Sequence, residues 1–213
     1  MEYIKLIIFD LDGTLVDSKQ AIAKGINLAL QQQGICRKAK EEIYSYIGTG
    51  VDDLINKSLG PQNQGLLQKT KAIYENYMNS SSNNILLYPG VREILDCFKD
   101  KTKVVITNRK KAFARWPLEK MGIIDYFADI VGADDVACMK PSPCPLDYAL
   151  DKFKADKQKT IIVGDMDIDI LAGKRAGILT CAVTYGIGRR QDIIKTKPDF
   201  IIDHILGLKE IIN

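Results

Sequence analysis

Asp10 and Asp12 stand two residues apart at the end of an apolar run, followed directly by Gly13 and Thr14. In an extended chain, side chains at i and i+2 leave on the same side, so both carboxylates aim at one place. Asp165 and Asp169 follow a second such run, which ends at Gly164. Ionised carboxylates gathered in one crevice repel each other and coexist at neutral pH only around a cation. Oxygen donors with no cysteine or histidine beside them suit Mg²⁺, which keeps waters and takes a substrate phosphate as a further partner. Thr107 offers a hydroxyl and Lys140 a point charge, both suited to a phosphoryl group. An aspartate is ionised at pH 7 and can attack phosphorus without a general base. A second carboxyl two residues on could protonate the leaving alkoxide and then take a proton from water. Gly13 lets the chain turn after the second aspartate, and Thr14 is expected to satisfy free backbone groups there.

These residues need a scaffold that brings distant segments together. The runs at 3–10, 103–107, 160–165, 179–184 and 200–202 are short, β-branched and nearly continuous in apolar character. That pattern suits strands buried on both faces of a parallel sheet. Helical patterns lie between them at 90–98, 112–121, 145–153, 168–176 and 205–212. Strand–helix alternation implies an α/β fold, and ligands in such sheets bind beyond the carboxyl ends of the strands. Asp10, Thr107 and Asp165 all fall at such ends. From Asp17 to Ser82 no strand is expected. Helical patterns follow one another at 21–33, 41–47, 52–59 and 66–78, and the polar tract 79–84 closes the region as a linker. The expected organisation is a catalytic core from 1–16 and 85–213 with a four-helix cap from 17–84.

With 30 basic and 27 acidic residues the net charge is +3, too small for a dedicated nucleic-acid surface. Mean hydropathy is −0.08, and no apolar stretch reaches the roughly 18 residues of a membrane span. The five cysteines form no C-x-x-C pair, so no disulfide framework or zinc site is expected; most read as small buried residues in a reducing, cytoplasmic setting. Asp167 reads as the cap of the helix that starts near Ile168. Arg109 directly follows Thr107-Asn108 and could face the site, with exposed surface the favoured reading; Trp116 reads as packing, and the single histidine, His204, as remote from every motif.

D-L-D-G-T at Asp10–Thr14, T-N at Thr107–Asn108, K-P at Lys140–Pro141 and G-D-x-x-x-D at Gly164–Asp169 together resemble the four motifs of the haloacid dehalogenase superfamily. D-G-T alone occurs in many turns, and the combination carries the specificity. The resemblance spans nearly the whole chain and implies a Rossmann-like core of about five parallel strands with a small helical cap after the first. It implies Asp10 as nucleophile and Asp12 as acid/base. It assigns Mg²⁺ to Asp10, the backbone carbonyl of Asp12 and Asp165, with Asp169 in support. Thr107, Asn108 and Lys140 are the implied phosphate-binding residues. Segments 15–18 and 80–84 are expected to be hinges. The glycine-rich turn Gly48-Thr49-Gly50 opens a helix, so its N–H groups are expected to receive a second anionic group of the substrate. This turn and Tyr88-Pro89-Gly90-Val91 resemble the phosphoglycolate phosphatase branch. The expected partner is a small phosphorylated metabolite, most of all 2-phosphoglycolate, handled by a monomer or homodimer. Phosphomutase, pyrophosphatase and nucleotidase remain as alternatives within the superfamily. Carbon–halogen hydrolysis and a non-enzymatic binding role are disfavoured, because the second aspartate and every expected metal ligand are present.

Overall fold

In the computed structural model, which describes residues 3–80 and 85–212, the strand-forming runs assemble into one parallel sheet. Its strands are β1 (Leu6–Phe9), β4 (Thr102–Ile106), β5 (Asp129–Val131), β6 (Thr160–Gly164), β7 (Leu179–Val183) and β8 (Phe200–Ile202), in the spatial order β5-β4-β1-β6-β7-β8. The register pairs Ile8 with Val104 on one side and Ile162 on the other. Both sheet faces are covered. Ile7, Phe9, Val105 and Val163 belong to one core cluster, while Leu6, Ile8, Val104 and Ile106 pack beneath Leu146, Ala149 and Leu150. Each fully buried aliphatic side chain of this kind contributes about 1.5–3 kcal/mol. The strand order reverses around β1, so a crevice opens beyond the carboxyl ends of β1, β4 and β6.

The observed sheet has one strand more than expected. β5 is only three residues long and carries Asp129, so its apolar signal is too brief to stand out from sequence. A second correction lies where the chain leaves and re-enters the sheet. β2 (Val16–Asp17) pairs antiparallel with β3 (Leu86–Leu87), so strand character reaches into the stretch expected to contain none. Two residues on each side are too few to show a period. This small ladder covers the first expected hinge, and Ser80 ends a helix; residues 81–84 of the second hinge and of the linker lie outside the described residues.

Between β2 and β3 run α1 (Lys19–Gln31), α2 (Lys40–Tyr44), α3 (Val51–Leu59) and α4 (Leu67–Ser80). Helix α1 buries Ala21, Gly25 and Ala29 together with Ile22, Ile26 and Leu30, two rows spaced four residues apart. A Cβ on Gly25 would stand 2.7 Å from the Tyr77 ring, so only glycine allows α1 and α4 to approach this closely. The later helices are α5 (Val91–Cys97), α6 (Lys111–Lys120), α7 (Cys144–Phe153), α8 (Asp167–Ala176), α9 (Arg190–Lys195) and α10 (Leu208–Ile211). Helix α8 contains a correction: Asp167 is its first residue, and the carboxylate that caps it belongs to Asp169, whose Oδ2 accepts from the backbone N–H of Met166 at 3.0 Å. Among the described residues, no helix is long and apolar enough to cross a membrane.

The cysteines depart from expectation. Cys138 and Cys144 are joined by a disulfide with Cα atoms 6.0 Å apart. Cys36 and Cys97 are exposed, and only Cys181 is a buried thiol, which burial pushes up to about 12. A pair six residues apart has no signature spacing; the cis Lys140–Pro141 peptide lies within the loop that the disulfide closes.

Candidate active site

The crevice at the strand ends holds a buried charge cluster. Asp10 follows β1, and its N–H donates to the Val163 carbonyl at 2.9 Å, which ties it to β6. Lys140, only 3% exposed, donates to Asp10 Oδ1 and Asp169 Oδ1, both at 2.6 Å, and to the Ile106 carbonyl at 2.9 Å. These bonds engage all three of its protons, so Lys140 acts on the site as a fixed positive charge. Asp165 accepts at Oδ1 from the Thr14 hydroxyl (3.0 Å) and at Oδ2 from the N–H groups of Ile187 (2.7 Å) and Gly188 (3.2 Å). The buried Thr14 hydroxyl thus supports a carboxylate rather than the local backbone. Gly186-Ile187-Gly188 was missed from sequence, although a glycine-flanked turn after a strand is a signal for exposed N–H groups.

Asp10, Asp165 and Asp169 are buried with carboxylate oxygens within 4.8 Å of one another, and Lys140 is the cation among them. The charge does not balance, and the proton affinities register it. Burial raises Asp10 well above the ordinary carboxylate range, against the pull of Lys140, with Asp169 and Asp165 pushing the same way. Burial also raises Asp165 to about 7; Asp169 adds to this, while the N–H groups of Ile187 and Gly188 and the Thr14 hydroxyl oppose it. Burial disfavours a charged Lys140, yet the two adjacent carboxylates raise it and keep it protonated. An oxygen-only donor set with surplus negative charge fits a hard divalent cation such as Mg²⁺.

Gly13 sets the spacing of this cluster. Its φ is +90°, and a Cβ there would stand 2.1 Å from Asp165 Oδ2. Gly13→Ala must therefore move Asp165 and strain the turn, at a cost of about 1–3 kcal/mol. We expect a lower melting temperature and at least a tenfold weaker divalent-cation affinity by calorimetric titration. Unchanged affinity would show that Asp165 does not depend on this close approach.

Asp12 is placed differently from Asp10. Arg109 grips it with two parallel hydrogen bonds, Nε to Oδ2 at 2.8 Å and Nη2 to Oδ1 at 2.6 Å, and the Ser18 hydroxyl also donates to Oδ1. This corrects the expectation that Arg109 is exposed: its side chain is 13% exposed and lines the cavity. The signal for the site-facing alternative was its position in the loop immediately after Thr107-Asn108, at the strand end that borders the crevice.

Thr107 is buried at the end of β4, and its Oγ1 accepts from the Arg109 N–H at 3.2 Å, leaving its own proton available. Asn108 corrects another expectation. Its Nδ2 donates to the carbonyls of Gly48 and Lys140, each at 2.8 Å, and its Oδ1 accepts from the Lys140 N–H at 2.9 Å. Both side-chain amide protons are engaged, so the Asn108 side chain clamps the Lys140 loop and ties it to the helical region instead of donating to a phosphate. Glu75 of α4 and Lys110 add a tie at 3.0 Å.

A cavity of about 80 Å³ lies over the cluster, roofed by Ile47, Val51, Leu54, Met78, Tyr74 and Phe113. Since one water needs roughly 10–15 Å³ on this measure, the space holds several ligand-sized atoms. Gly48 and Gly50 line it, whereas Thr49 is exposed and its hydroxyl donates to Asp53. Asp52 and Asp53 occupy the first turn of α3, where they already complement the helix dipole, so the turn is a poorer anion receptor than its glycines suggest.

A family model for haloacid dehalogenase-like hydrolases matches residues 7–183. The chain is 33% identical to the phosphoglycolate phosphatase of Vibrio parahaemolyticus, over 98% of this chain and 96% of that one. It is 31% identical to the phosphoglycolate phosphatase of Photobacterium profundum, over 100% of this chain and 97% of that one. Among solved structures, a predicted phosphoglycolate phosphatase from Haemophilus somnus superposes with a TM-score of 0.93 at 29% identity, covering 99% of both chains.

Proposed function

The chain belongs to the haloacid dehalogenase-like hydrolases, and on that premise we propose that it is a divalent-metal-dependent phosphomonoesterase acting on 2-phosphoglycolate. The observation that carries this reading is the buried cluster of Asp10, Lys140, Asp165 and Asp169 beneath a small cavity at the strand-order reversal. Similarity to proteins named phosphoglycolate phosphatase over nearly the full chain supports the choice of substrate.

Asp10 is the nucleophile. Lys140 holds its Oδ1, which orients the carboxylate and leaves Oδ2 for in-line attack on phosphorus. Attack forms a bond from Asp10 to the phosphoryl group and breaks the ester P–O bond. For this step Asp12 carries a proton on one oxygen, which gives up its bond from Arg109 while the other oxygen keeps one, and that proton goes to the departing alkoxide, here the hydroxyl oxygen of glycolate. As a carboxylate it then takes a proton from the water that cleaves the aspartyl-phosphate, releasing phosphate and restoring Asp10. Thr107 donates its free hydroxyl proton to a phosphoryl oxygen, and Lys140 adds positive charge beside the transferring group. Asp10, Asp165 and the Asp12 carbonyl would hold Mg²⁺, with Asp169 in support; the ion would supply charge neutralisation at the phosphoryl oxygens.

The helices between β2 and β3 act as a cap over the core, hinged near that short ladder. Closure excludes bulk water and strengthens the electrostatics within the cavity. The apolar roof and small volume favour compact metabolites over phosphoproteins, and Gly48 and Gly50 leave room along the roof.

The deciding experiment is a comparison of kcat/KM over phosphorylated metabolites with Mg²⁺ present. 2-Phosphoglycolate should lead. A sugar phosphate, nucleotide or pyrophosphate ahead by tenfold, about 1.4 kcal/mol in transition-state stabilisation, would overturn the substrate assignment. Excess chelator should lower turnover by at least about 10³-fold, and Mg²⁺ should restore it, as expected when several kcal/mol of charge stabilisation are removed. Full activity in chelator would exclude the metal.

A further inference from the structure

The guanidinium of Arg109 is only half used. It carries five N–H donors, and one edge, Nε with Nη2, is taken by Asp12. Among the described residues no acceptor lies on Nη1, this nitrogen is not among the orphaned buried polar atoms, and Arg109 lines the cavity. The Nη1–Nη2 edge is a second planar fork of the kind that matches a carboxylate.

The other cations at the cavity are less suited: neither offers a planar fork, and both already face carboxylates. Lys140 has its three protons on Asp10, Asp169 and the Ile106 carbonyl. Lys110 is paired with Glu75. Ile47, Leu54, Met78 and Phe113 offer a carboxylate no hydrogen bond, Tyr74 beside Arg109 has only a single hydroxyl to offer, and α3 opens with two acidic residues.

We propose that Arg109 is the receptor for the second anionic group of the substrate, its outer edge binding a carboxylate while its inner edge holds Asp12. The proposal rests on the phosphomonoesterase reading and names the residue that selects its substrate class. One guanidinium then spans the acid/base and the far end of the substrate. In a phosphomonoester whose carboxylate stands one methylene from the ester oxygen, anchoring the carboxylate at Arg109 brings that oxygen toward Asp12, the group that must protonate it. A shorter or uncharged leaving group has no such anchor. Arg109 is thus a specificity residue for a compact carboxylated phosphomonoester.

The test separates binding from turnover. 3-Phosphonopropionate has a methylene in place of the ester oxygen and cannot be hydrolysed as a phosphate ester; propylphosphonate also lacks the carboxylate. Calorimetry with Mg²⁺ present should show the wild type binding 3-phosphonopropionate at least tenfold tighter than propylphosphonate. Arg109→Gln should erase this preference, and Arg109→Lys, which keeps charge but loses the fork, should restore only part of it. In parallel, the ratio of kcat/KM for phosphoglycolate over ethyl phosphate should fall about 100-fold in Arg109→Gln. If both substrates decline equally and the ligand preference persists, Arg109 acts only by orienting Asp12 and the proposal is overturned. No ligand preference in the wild type overturns it as well. If the wild type shows the preference but hydrolyses neither ester, the carboxylate site stands and the phosphatase reading fails. Melting curves of both variants identify any loss of folding; should Arg109→Gln not fold, Arg109→Lys alone decides the outcome.

Discussion

Asp10→Asn is expected to fold and to lose at least about 10⁴-fold in kcat, because removing a covalent nucleophile leaves only binding and electrostatic contributions. The amide is nearly isosteric with the carboxylate but cannot form an aspartyl-phosphate. Lys140 keeps its bond to Asp169 at 2.6 Å, so the cluster retains a paired cation. Burial works against a charged Asp10, so neutralising it removes repulsion from Asp169 and Asp165 while sacrificing one ion pair. These opposing effects should leave the melting temperature within a few degrees of the wild type. Mass spectrometry after quenching with substrate should find a phosphoryl adduct on Asp10 of the wild type and none in the variant. An adduct on another residue, or one-tenth of the activity remaining, would remove Asp10 from its role.

Lys140→Met should be costly to folding as well as to turnover. The ammonium lies between two buried carboxylates, and deleting one member of a buried ion cluster costs about 3–5 kcal/mol because the remaining charge is uncompensated. For a chain of 213 residues that corresponds to a fall in melting temperature of roughly 6–20 °C. The deficit should depend on pH with a definite sign. Asp10 already has a raised pKa in the folded state, and loss of Lys140 raises it further. Between the ordinary carboxylate range and that higher value, the folded state binds more protons than the unfolded state, so stability falls as pH rises. The gap between variant and wild type should therefore be widest near neutrality and narrow on acidification. Turnover should fall by at least about 10³-fold, the scale of removing preorganised positive charge from developing phosphoryl charge. A variant that melts within 2 °C of the wild type at pH 7, or whose deficit grows in acid, would contradict this account.

The elements that position the site were readable where their apolar signal was long. Residues 6–9, 102–106 and 160–164 are mostly apolar runs rich in β-branched residues, and each proved to be a sheet strand. Helices α1, α3 and α4 showed a repeat of buried positions over several turns. β5, β2 and β3 were not readable, since two or three residues hold no period and their pairing depends on segments tens of residues away.

The same division runs through the candidate site. Asp10, Thr107, Lys140, Asp165 and Asp169 could be singled out because motif chemistry is local: a residue type, its spacing, and a strand end before it. What each side chain touches is not local. Arg109 could be surface or site-facing from its place after Thr107-Asn108, and folding decides between them by setting it against Asp12, 97 residues earlier. Asn108 looked like a phosphate donor, yet both its amide protons meet carbonyls at Gly48 and Lys140. Asp169 rather than Asp167 caps α8, and Cys138 meets Cys144 around the Lys140 loop. Short-range order along the chain sets which groups are available and at which strand ends they emerge. Their hydrogen-bond partners, and the surplus of buried negative charge that calls for a cation, arise only when the sheet brings β1, β4 and β6 side by side, because hydrogen bonding and desolvation depend on distance in space rather than on separation in sequence.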